Sequence, residues 1–295
     1  MTQPGDPASG GVPEGRRRSR LLRGFSLKEE GAKGVLIATV STLVVLGLLV
    51  FAAVRSPYWP DFKDQFLNRQ VFAESFPEIL RAFRRNIFYF LTAEPVILVV
   101  ALTLAVLRSL RGPVFFPVRL LSTIYVDLFR GIPTVLVVYA LGFGVPALRI
   151  PGLPVDGWFW GWVALILSYS AYVAEVYRAG IESVHPSQSA ASRALGLSRW
   201  QSLRSVVIPQ AIRRVIPPLM NDFISLQKDT ALIAFVSAFS VEAFLRAQRV
   251  SAGDFNFTPF VGAALCFLII TIPMTRFTDW LLERQRRRRM AGGLM

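Results

Sequence analysis

Long apolar stretches alternate with short basic segments along the 295-residue chain. A helix needs about 20 apolar residues to cross the hydrocarbon core of a membrane. The apolar stretches of about that length are residues 34–54, 86–107, 120–148, 158–177, 216–241 and 255–275. One helix for each stretch predicts an all-α integral membrane protein of about six transmembrane helices.

The fifth stretch, 216–241, differs from the others because polar residues interrupt it. It contains the charged side chains Asp222, Lys228 and Asp229. Taken alone, it could be an amphipathic segment on the membrane surface. We count it as a span because an odd number of spans would place one cytoplasmic arginine cluster on the wrong side of the membrane.

Composition also favours a membrane protein. Hydrophobic residues make up 53% of the chain and charged residues only 18%, whereas a soluble protein of this size needs more charge to cover its surface. The net charge of +14 could indicate a nucleic-acid partner. However, the arginines gather at the ends of apolar stretches, and no basic stretch carries interleaved aromatics for base stacking. We therefore expect the lipid bilayer as a partner and no nucleic acid.

The distribution of Lys and Arg predicts the orientation in the membrane. With both termini inside, the cytoplasmic segments carry 21 of the 33 basic residues and the external segments carry 9. This excess predicts a multi-pass protein of the cell membrane with both termini in the cytoplasm. Arg81, Arg84 and Arg85 do not fit, because they would lie just outside the second span.

The segments around the spans follow from this orientation. Residues 1–33 are polar and basic, and we predict a disordered cytoplasmic tail. The run 34–54 has no charge and is longer than a signal-peptide core, so we expect a retained N-terminal helix. Residues 55–82 are then an external loop, and residues 284–295 are a second basic cytoplasmic tail.

The chain offers no recognisable catalytic, metal or nucleotide site. Its one cysteine, Cys266, lies inside an apolar run, and no group of side chains has metal-ligand spacing. No Gly-x4-Gly-Lys-Ser/Thr phosphate loop occurs. We therefore expect a protein that is not an enzyme and binds no cofactor itself.

The segment 179–214 is long for a connection between two spans, and its residues favour helices. Residues 189–195 are good helix formers, and Gly196 can adopt the left-handed geometry that ends a helix. Ser198 can cap a second short helix, which Pro209 is expected to terminate. The pattern predicts a compact cytoplasmic projection with an apolar ridge, formed by Leu195, Leu197, Trp200 and Leu203.

Two functions fit this projection. Its arginines, Arg193, Arg199 and Arg204, could rest on anionic lipid headgroups, as in an ordinary amphipathic loop. Alternatively, the projection could dock on a cytoplasmic partner. The residue pattern alone leaves both possibilities open.

The run 188–210 resembles the coupling loop of ABC-importer permeases. That family has Glu-Ala-Ala, a glycine several residues later and a closing apolar-Pro pair. The residues that match are Ala190, Ala191, Gly196 and Pro209. Ser189 stands where the family usually has glutamate. Other stretches are similar to the polar amino-acid branch of the family: 127–133, 170–180, 217–221 and 227–230.

The resemblance covers roughly residues 83–283 and implies a five-helix permease core there, to which the N-terminal helix is an addition. That addition resembles the longer permease of some glutamate/aspartate systems. The implied function is the permease subunit of an ABC importer for polar amino acids of the glutamate, glutamine, aspartate, arginine and histidine class. Transport would proceed by alternating access.

The same resemblance implies partners and contacts. The partners are ABC ATPase subunits that hold ATP and Mg, an extracytoplasmic solute-binding protein, a second permease subunit and a small polar amino acid. The residues implied to contact the ATPase are Gln188, Ser189, Ala190, Ala191, Leu195, Gly196, Leu197, Trp200, Leu203 and Pro209.

Charged groups inside the spans are costly and mark transport pathways. The candidates are Glu94, Asp127, Arg130, Glu175, Asp222, Lys228 and Asp229. An amino-acid zwitterion needs an anion for its ammonium and a cation for its carboxylate. We therefore predict a substrate pathway formed by Asn221, Lys228, Asp229 and Glu175. Alternatively, Lys228 and Asp229 could pair with other helices for structural reasons.

Two further pairs have structural explanations. Asp127 and Arg130 lie three residues apart at a helix entry, as structural ion pairs do. Glu175 and Arg178, near the inner end of the fourth span, could brace the projection.

A secondary, ion-coupled transporter is the alternative function. Such a protein should show two similar halves or paired broken helices, and the chain has no internal repeat. A membrane anchor without transport activity would leave the polar residues of 216–241 unexplained.

Overall fold

The structure is a computed structural model that describes residues 32–110, 112–237, 243–254 and 256–292. The described residues contain helices and turns and no strand, so the predicted all-α fold class is confirmed. The helices are α1 Ala32–Arg55, α2 Trp59–Phe66, α3 Arg69–Ser109, α4 Phe116–Gly131, α5 Thr134–Ala147, α6 Gly157–Glu182, α7 Pro186–Ala194, α8 Arg199–Ser202, α9 Ile208–Asp229, α10 Ala243–Asp254 and α11 Thr258–Gly292.

Helix α1 belongs to the first of two compact units, Met1–Pro60. It is long and apolar enough to cross a membrane, and its side chains are exposed around the whole circumference. A helix that is hydrophobic all round is typical of a membrane span. Most of the predicted basic tail, residues 1–31, lies outside the described residues.

The second unit, Asp61–Met295, contains most of α2 and the helices α3 to α11. Three of its described helices are long and apolar enough to span a membrane, namely α3, α6 and α11. Helices α4 and α5 pass this test together, as one broken span. With α1, the described chain therefore has four or five candidate spans, and the predicted total of six stays a prediction.

The prediction of one continuous helix over 120–148 is wrong. Helices α4 and α5 are bent by 102° where Gly131, Ile132 and Pro133 separate them. Pro133 has no N–H to continue the helix, and a proline disfavours helical geometry in the residue before it. Ile132 is accordingly extended, with φ −94° and ψ 131°.

The fifth predicted stretch, 216–241, is also organised differently. Helix α9 begins earlier, at Ile208, and ends at Asp229, where a 3-10 turn, Thr230–Phe235, follows. The end of the stretch, residues 238–241, lies outside the described residues. Helix α9 is not among the helices apolar enough to span a membrane, but it packs against α3, α6 and α11.

Helix α3 begins in the segment predicted as an external loop, 55–82. Asn68 caps it, because its side-chain oxygen accepts from the backbone N–H groups of Gln70 and Val71, at 3.0 and 3.1 Å. The helix then runs without a break to Ser109. Its polar first turns could not be recognised from apolar length, because they lie before the apolar stretch.

Helix α6 is the centre of the second unit and packs against α3, α4, α5 and α9. Small residues permit this close packing. Gly142 on α5 and Gly161 on α6 both lie against the side chain of Val236, and a Cβ at Gly142 would approach it within 2.6–2.8 Å. The C-terminal end of α6 and the N-terminal end of α9 carry the segment that the sequence predicts to form a projection.

Candidate functional site

Residues 186–207 connect α6 to α9, and we call this segment the knob. Its first helix, α7, is capped by His185, whose Nδ1 accepts from the backbone N–H of Ser187 at 3.2 Å. Its second helix, α8, begins with a reciprocal capping box between Ser198 and Gln201. The two backbone-to-side-chain hydrogen bonds of this box measure 2.9 and 3.3 Å.

Gly196 forms the joint between the two helices of the knob. Its φ is +88°, in the left-handed region that favours glycine. The N–H of Gly196 donates to the carbonyl of Arg193, and the N–H of Leu197 donates to that of Ser192, at 3.0 and 3.2 Å. These two bonds form a Schellman motif, which satisfies carbonyls at the end of α7.

Three serine hydroxyls hold α7 and α8 together. Ser192 is buried and its Oγ hydrogen bonds to that of Ser202, which is also buried. The hydroxyl of Ser189 lies 3.4 Å from the same Ser202 oxygen. Ser189 therefore takes part in the internal contact of the knob. Sequence reasoning missed Ser192 and Ser202, because serines in a helix carry no signal of a contact between two helices.

Pro209 does not terminate the second helix, contrary to the prediction. The chain passes from α8 through a π-helical turn, Leu203–Val207, directly into α9. In this turn the N–H of Ile208 donates to the carbonyl of Leu203, five residues earlier. A proline in a regular helix clashes with the carbonyl four residues before it, and the wider π turn relieves such crowding. The knob is thus continuous with α9.

The tip of the knob exposes large apolar side chains. Leu195 is 84% exposed and Trp200 is 65% exposed, whereas Leu203 and Leu197 are more covered. Among the other residues predicted to contact the ATPase, Gln188, Ala190, Ala191 and Pro209 are exposed and Ser189 is half-buried. The arginines of the knob, Arg193, Arg199 and Arg204, are also exposed.

The base of the knob is formed where α6 packs on α9. The guanidinium of Arg214 donates to the backbone carbonyl of Ser183, which follows α6. Gly180 on α6 is buried against Val215, and a Cβ at this glycine would overlap the valine side chain. This close approach fixes the two helices from which the knob projects.

Replacing Gly180 with alanine should therefore destabilise the protein by about 1–3 kcal/mol, the usual cost of overpacking. Thermal unfolding of the purified chain measures this change. Gly131→Ala is the matched control, because a Cβ at Gly131 meets nothing within 4 Å. Equal melting temperatures for the two variants would show that α6 and α9 can accommodate a side chain at this contact without loss of stability.

Glu175 lies among three arginines and not on the knob. Its Oε2 accepts from Arg108 at 2.9 Å and lies 3.7 Å from a nitrogen of Arg130. Its other oxygen forms an ion pair with Arg178, which also pairs with Glu182 at 2.7 Å. This network, which we call the inner ion network, joins α3, α4 and α6.

The inner ion network corrects two predictions. Arg130 was expected to pair with Asp127, but in the structure it faces Glu175. Glu175 and Arg178 were expected to brace the knob, but their ion pairs reach α3, α4 and α6 instead. Sequence reasoning missed Arg108, because it lies 67 residues from Glu175 along the chain.

Carboxylates lie on the face of α9 that packs against α3 and α6. Asp222 and Asp229 lie seven residues apart, and two helical turns bring them to the same side. Asp229 Oδ2 accepts from the hydroxyl of Tyr169 on α6 at 2.8 Å. Asp222 is close enough to Glu94 on α3 for their charges to interact. The arrangement is a largely anionic surface between α3, α6 and α9.

Three buried polar atoms of α6 and α9 have no hydrogen-bond partner among the described residues. In the described part of the chain, Asp222 Oδ2 and the hydroxyls of Ser168 and Ser170 are buried and form no hydrogen bond. Most buried polar groups in proteins are hydrogen-bonded, so unpaired ones call for a ligand or water. Sequence reasoning missed Tyr169, Ser168 and Ser170, because uncharged residues of an apolar span resemble ordinary packing residues.

The structure does not bring the predicted pathway residues into one cluster. Asp229 faces α6, whereas Asn221 and Lys228 are exposed. Lys228 interacts electrostatically with its neighbour Asp229. Glu175 belongs to the inner ion network. Over the described residues, no group of His, Cys, Asp and Glu could hold a metal ion.

Comparison with known proteins gives consistent matches. Residues 114–289 match the family described as binding-protein-dependent transport system inner membrane component. The chain is 32% identical to the probable glutamine ABC transporter permease protein GlnM of Bacillus subtilis (strain 168), over 74% of this chain and 98% of that protein. It is 30% identical to the arginine transport system permease protein ArtQ of the same organism, over 63% of this chain and 84% of that protein.

Solved structures agree with these sequence matches. A crystal structure of an amino acid ABC transporter with histidines is 25% identical, with a TM-score of 0.64 over 72% of this chain and 96% of that one. A structure of the MetNI methionine ABC transporter shares the fold, at 18% identity and a TM-score of 0.51, over 73% of this chain and 96% of that one.

Proposed function

Since this chain belongs to the family of binding-protein-dependent transport system inner membrane components, the permease subunits of ABC importers, we propose that it moves a polar amino acid across the cell membrane. ATP hydrolysis on separate ABC ATPase subunits drives the transport. A solute-binding protein delivers the amino acid from outside, and a second permease subunit, a copy or a relative, completes the pathway.

The apolar tip of the knob carries this proposal. Leu195 and Trp200 are exposed beside three arginines, at the end of a projection whose internal contacts are satisfied. Burying such side chains is worth about 1.5–3 kcal/mol each. A cleft on the ATPase would cover them. A rigid projection is suited to a shaped protein cleft, whereas binding to lipid headgroups does not require such rigidity.

Rigidity and continuity suit the knob to transmit movement. The capping box, the serine contact and the Schellman motif stiffen it, and the π turn joins it to α9. When the ATPase subunits close on ATP, the knob moves with them and tilts α9 and α6. The anionic surface between α3, α6 and α9 then faces the two sides of the membrane in turn.

The chemistry of that surface fits a polar amino acid. Glu94, Asp222 and Asp229 can attract the ammonium group or a cationic side chain of an amino acid. The relatives named for glutamine and arginine transport support this substrate class. Both termini are cytoplasmic in this proposal, because the knob and the ATPase must lie on the same side as the terminal arginine clusters.

The test is reconstitution of the full complex in proteoliposomes with Trp200→Ala and wild-type permease. Because truncating a central aromatic contact commonly costs 2 kcal/mol or more, we expect the ATPase to bind the variant roughly 30-fold more weakly. Trp280→Ala is the matched control, since Trp280 is 50% exposed on α11.

Uptake of labelled glutamine, arginine, histidine and glutamate is measured in the same vesicles. We expect accumulation only with ATP inside and the solute-binding protein outside. Uptake that follows a sodium or proton gradient without ATP would contradict the proposal and favour an ion-coupled transporter.

A further inference from the structure

A basic pocket lies at the N-terminal part of α3. Along this helix it is far from Arg108, which belongs to the inner ion network. Its cavity has a volume of about 630 Å3. The residues that line it are Glu78, Arg81, Ala82, Arg84, Arg85, Phe88 and Arg246. We call it the outer arginine pocket. It contains Arg81, Arg84 and Arg85, the three arginines that do not fit the predicted orientation.

The charge of the pocket is only partly balanced by the protein. Glu78 forms an ion pair with Arg246 of α10, and the Nε of Arg81 donates to the carbonyl of Pro77 at 3.2 Å. Arg84 and Arg85 are exposed and have no ion pair within the described part of the chain. Four arginines and one glutamate thus line the cavity, and the pocket is suited to an anion.

The arginines lie on the same side of α3 as its exposed apolar face. Phe88, Leu91 and Val99 are 53%, 60% and 66% exposed, and they follow Arg81 and Arg84 at helical spacing. The opposite face of α3 is buried against the other helices, with no exposure at Ala93, Ile97 and Ala101. The pocket therefore opens beside an exposed apolar face of α3, which is suited to contact the hydrocarbon chains of lipids.

The position along α3 matches a membrane boundary. At about 1.5 Å rise per residue, Arg85 lies roughly 34 Å from Arg108, close to the roughly 30 Å thickness of the hydrocarbon core. Arg108 belongs to the inner ion network. If that network marks the inner boundary, the outer arginine pocket lies at the level of the outer headgroups.

The geometry points to a binding site for an anionic phospholipid of the outer leaflet. The phosphate lies among Arg81, Arg84 and Arg85, because guanidinium groups bind phosphate oxygens through paired N–H donors. The acyl chains follow Phe88 and Leu91 along the exposed face of α3. This assignment also gives basic residues on the external side of the membrane a physical reason, namely a fixed anionic headgroup.

The experiment measures lipid retained by the full chain. Wild-type protein in nanodiscs of phosphatidylcholine and phosphatidylglycerol in equal parts is transferred to detergent, and the bound lipids are identified by native mass spectrometry. We expect selective retention of phosphatidylglycerol. Arg84→Gln/Arg85→Gln should lower this retention roughly tenfold, since charge-assisted hydrogen bonds from two arginines are lost.

The matched control is Arg69→Gln/Arg149→Gln, which removes the same charge from two exposed arginines outside the pocket. It should retain phosphatidylglycerol as wild type does. If the first double variant fails to fold, the single variants Arg84→Gln and Arg85→Gln should each give an intermediate loss.

Three results would overturn the assignment. Equal retention by both double variants would show that the pocket does not select the lipid. Displacement of phosphatidylglycerol by inorganic phosphate would assign the pocket to a soluble anion. Unchanged lipid retention with lost uptake from the solute-binding protein would assign the arginines to that protein. Lipid retention does not depend on the transported substrate, so failure here leaves the proposed transport function untouched.

Discussion

ATP-driven uptake should fall roughly tenfold or more when Gly196 is replaced by valine, while the protein remains inserted in the membrane. The expected cause is backbone strain, because Gly196 has a φ of +88°. A steric clash is not the cause, since a Cβ there would meet nothing within 4 Å. Holding a non-glycine residue in such a conformation costs about 1–3 kcal/mol, and each 1.4 kcal/mol is a factor of ten in population. The Schellman motif between α7 and α8 then opens, and the tip no longer fits its partner.

Gly196→Asn is the graded control for this effect. Asparagine has more access to left-handed conformations than valine, and both side chains enter the same open space. Uptake should therefore decrease in the order glycine, asparagine, valine, with equal amounts of each protein in the membrane. Normal uptake by the valine variant would remove the knob from the coupling mechanism.

The spans that a sequence can predict are those in which apolar length and helix length coincide. The predicted span 158–177 lies within α6, and all but the first three residues of the predicted span 255–275 lie within α11. The break in the knob at Gly196 was also accessible from sequence, because glycine's left-handed conformation is a local property. In these places local chemistry determines the structure.

Elsewhere, the decisive contacts are not local. The length of an apolar stretch does not reveal a bend. The stretch 120–148 was therefore predicted as one helix, although the axes of α4 and α5 differ by 102° across Pro133. The early start of α3 depends on the cap formed by Asn68, within a polar segment. The hydropathy of a span also does not reveal that Tyr169 donates a hydrogen bond to Asp229, because the two residues lie 60 positions apart.

The candidate site shows the same division. The sequence indicated which residues carry charge inside the helices, but it could not assign their partners. Glu175 was grouped with Lys228 and Asp229 as a pathway residue, whereas its neighbours in the structure are arginines of α3, α4 and α6. Pairing across helices depends on packing, which no single-sequence pattern encodes.

The inner ion network leads to the second large effect. Glu175→Gln should destabilise the protein by about 2–4 kcal/mol, because removing one partner of a largely buried ion pair leaves the other charge uncompensated. The side chain of Arg108 is only 13% exposed, and that of Glu175 is 20% exposed. At about 2–4 °C per kcal/mol, we expect a decrease of roughly 5–15 °C in the melting temperature of the purified chain.

Glu182→Gln is the matched control for Glu175→Gln. It makes the same chemical change on the same helix and removes a carboxylate that also pairs with Arg178. However, Glu182 is 60% exposed, and exposed ion pairs contribute about 0–1 kcal/mol. A similar melting temperature for both glutamine variants would show that the inner ion network behaves as a surface feature.

The double variant Glu175→Gln/Arg108→Gln separates the two sources of this cost. If the single variant is unstable because Arg108 is left unpaired at the membrane boundary, removing that charge as well should restore part of the lost stability, by about 0.5–3 kcal/mol of coupling. If the cost came only from lost hydrogen bonds to Glu175, the second substitution would bring no recovery. Partial recovery would therefore place the main function of Glu175 in neutralising the arginines that join α3, α4 and α6, rather than in binding the transported amino acid.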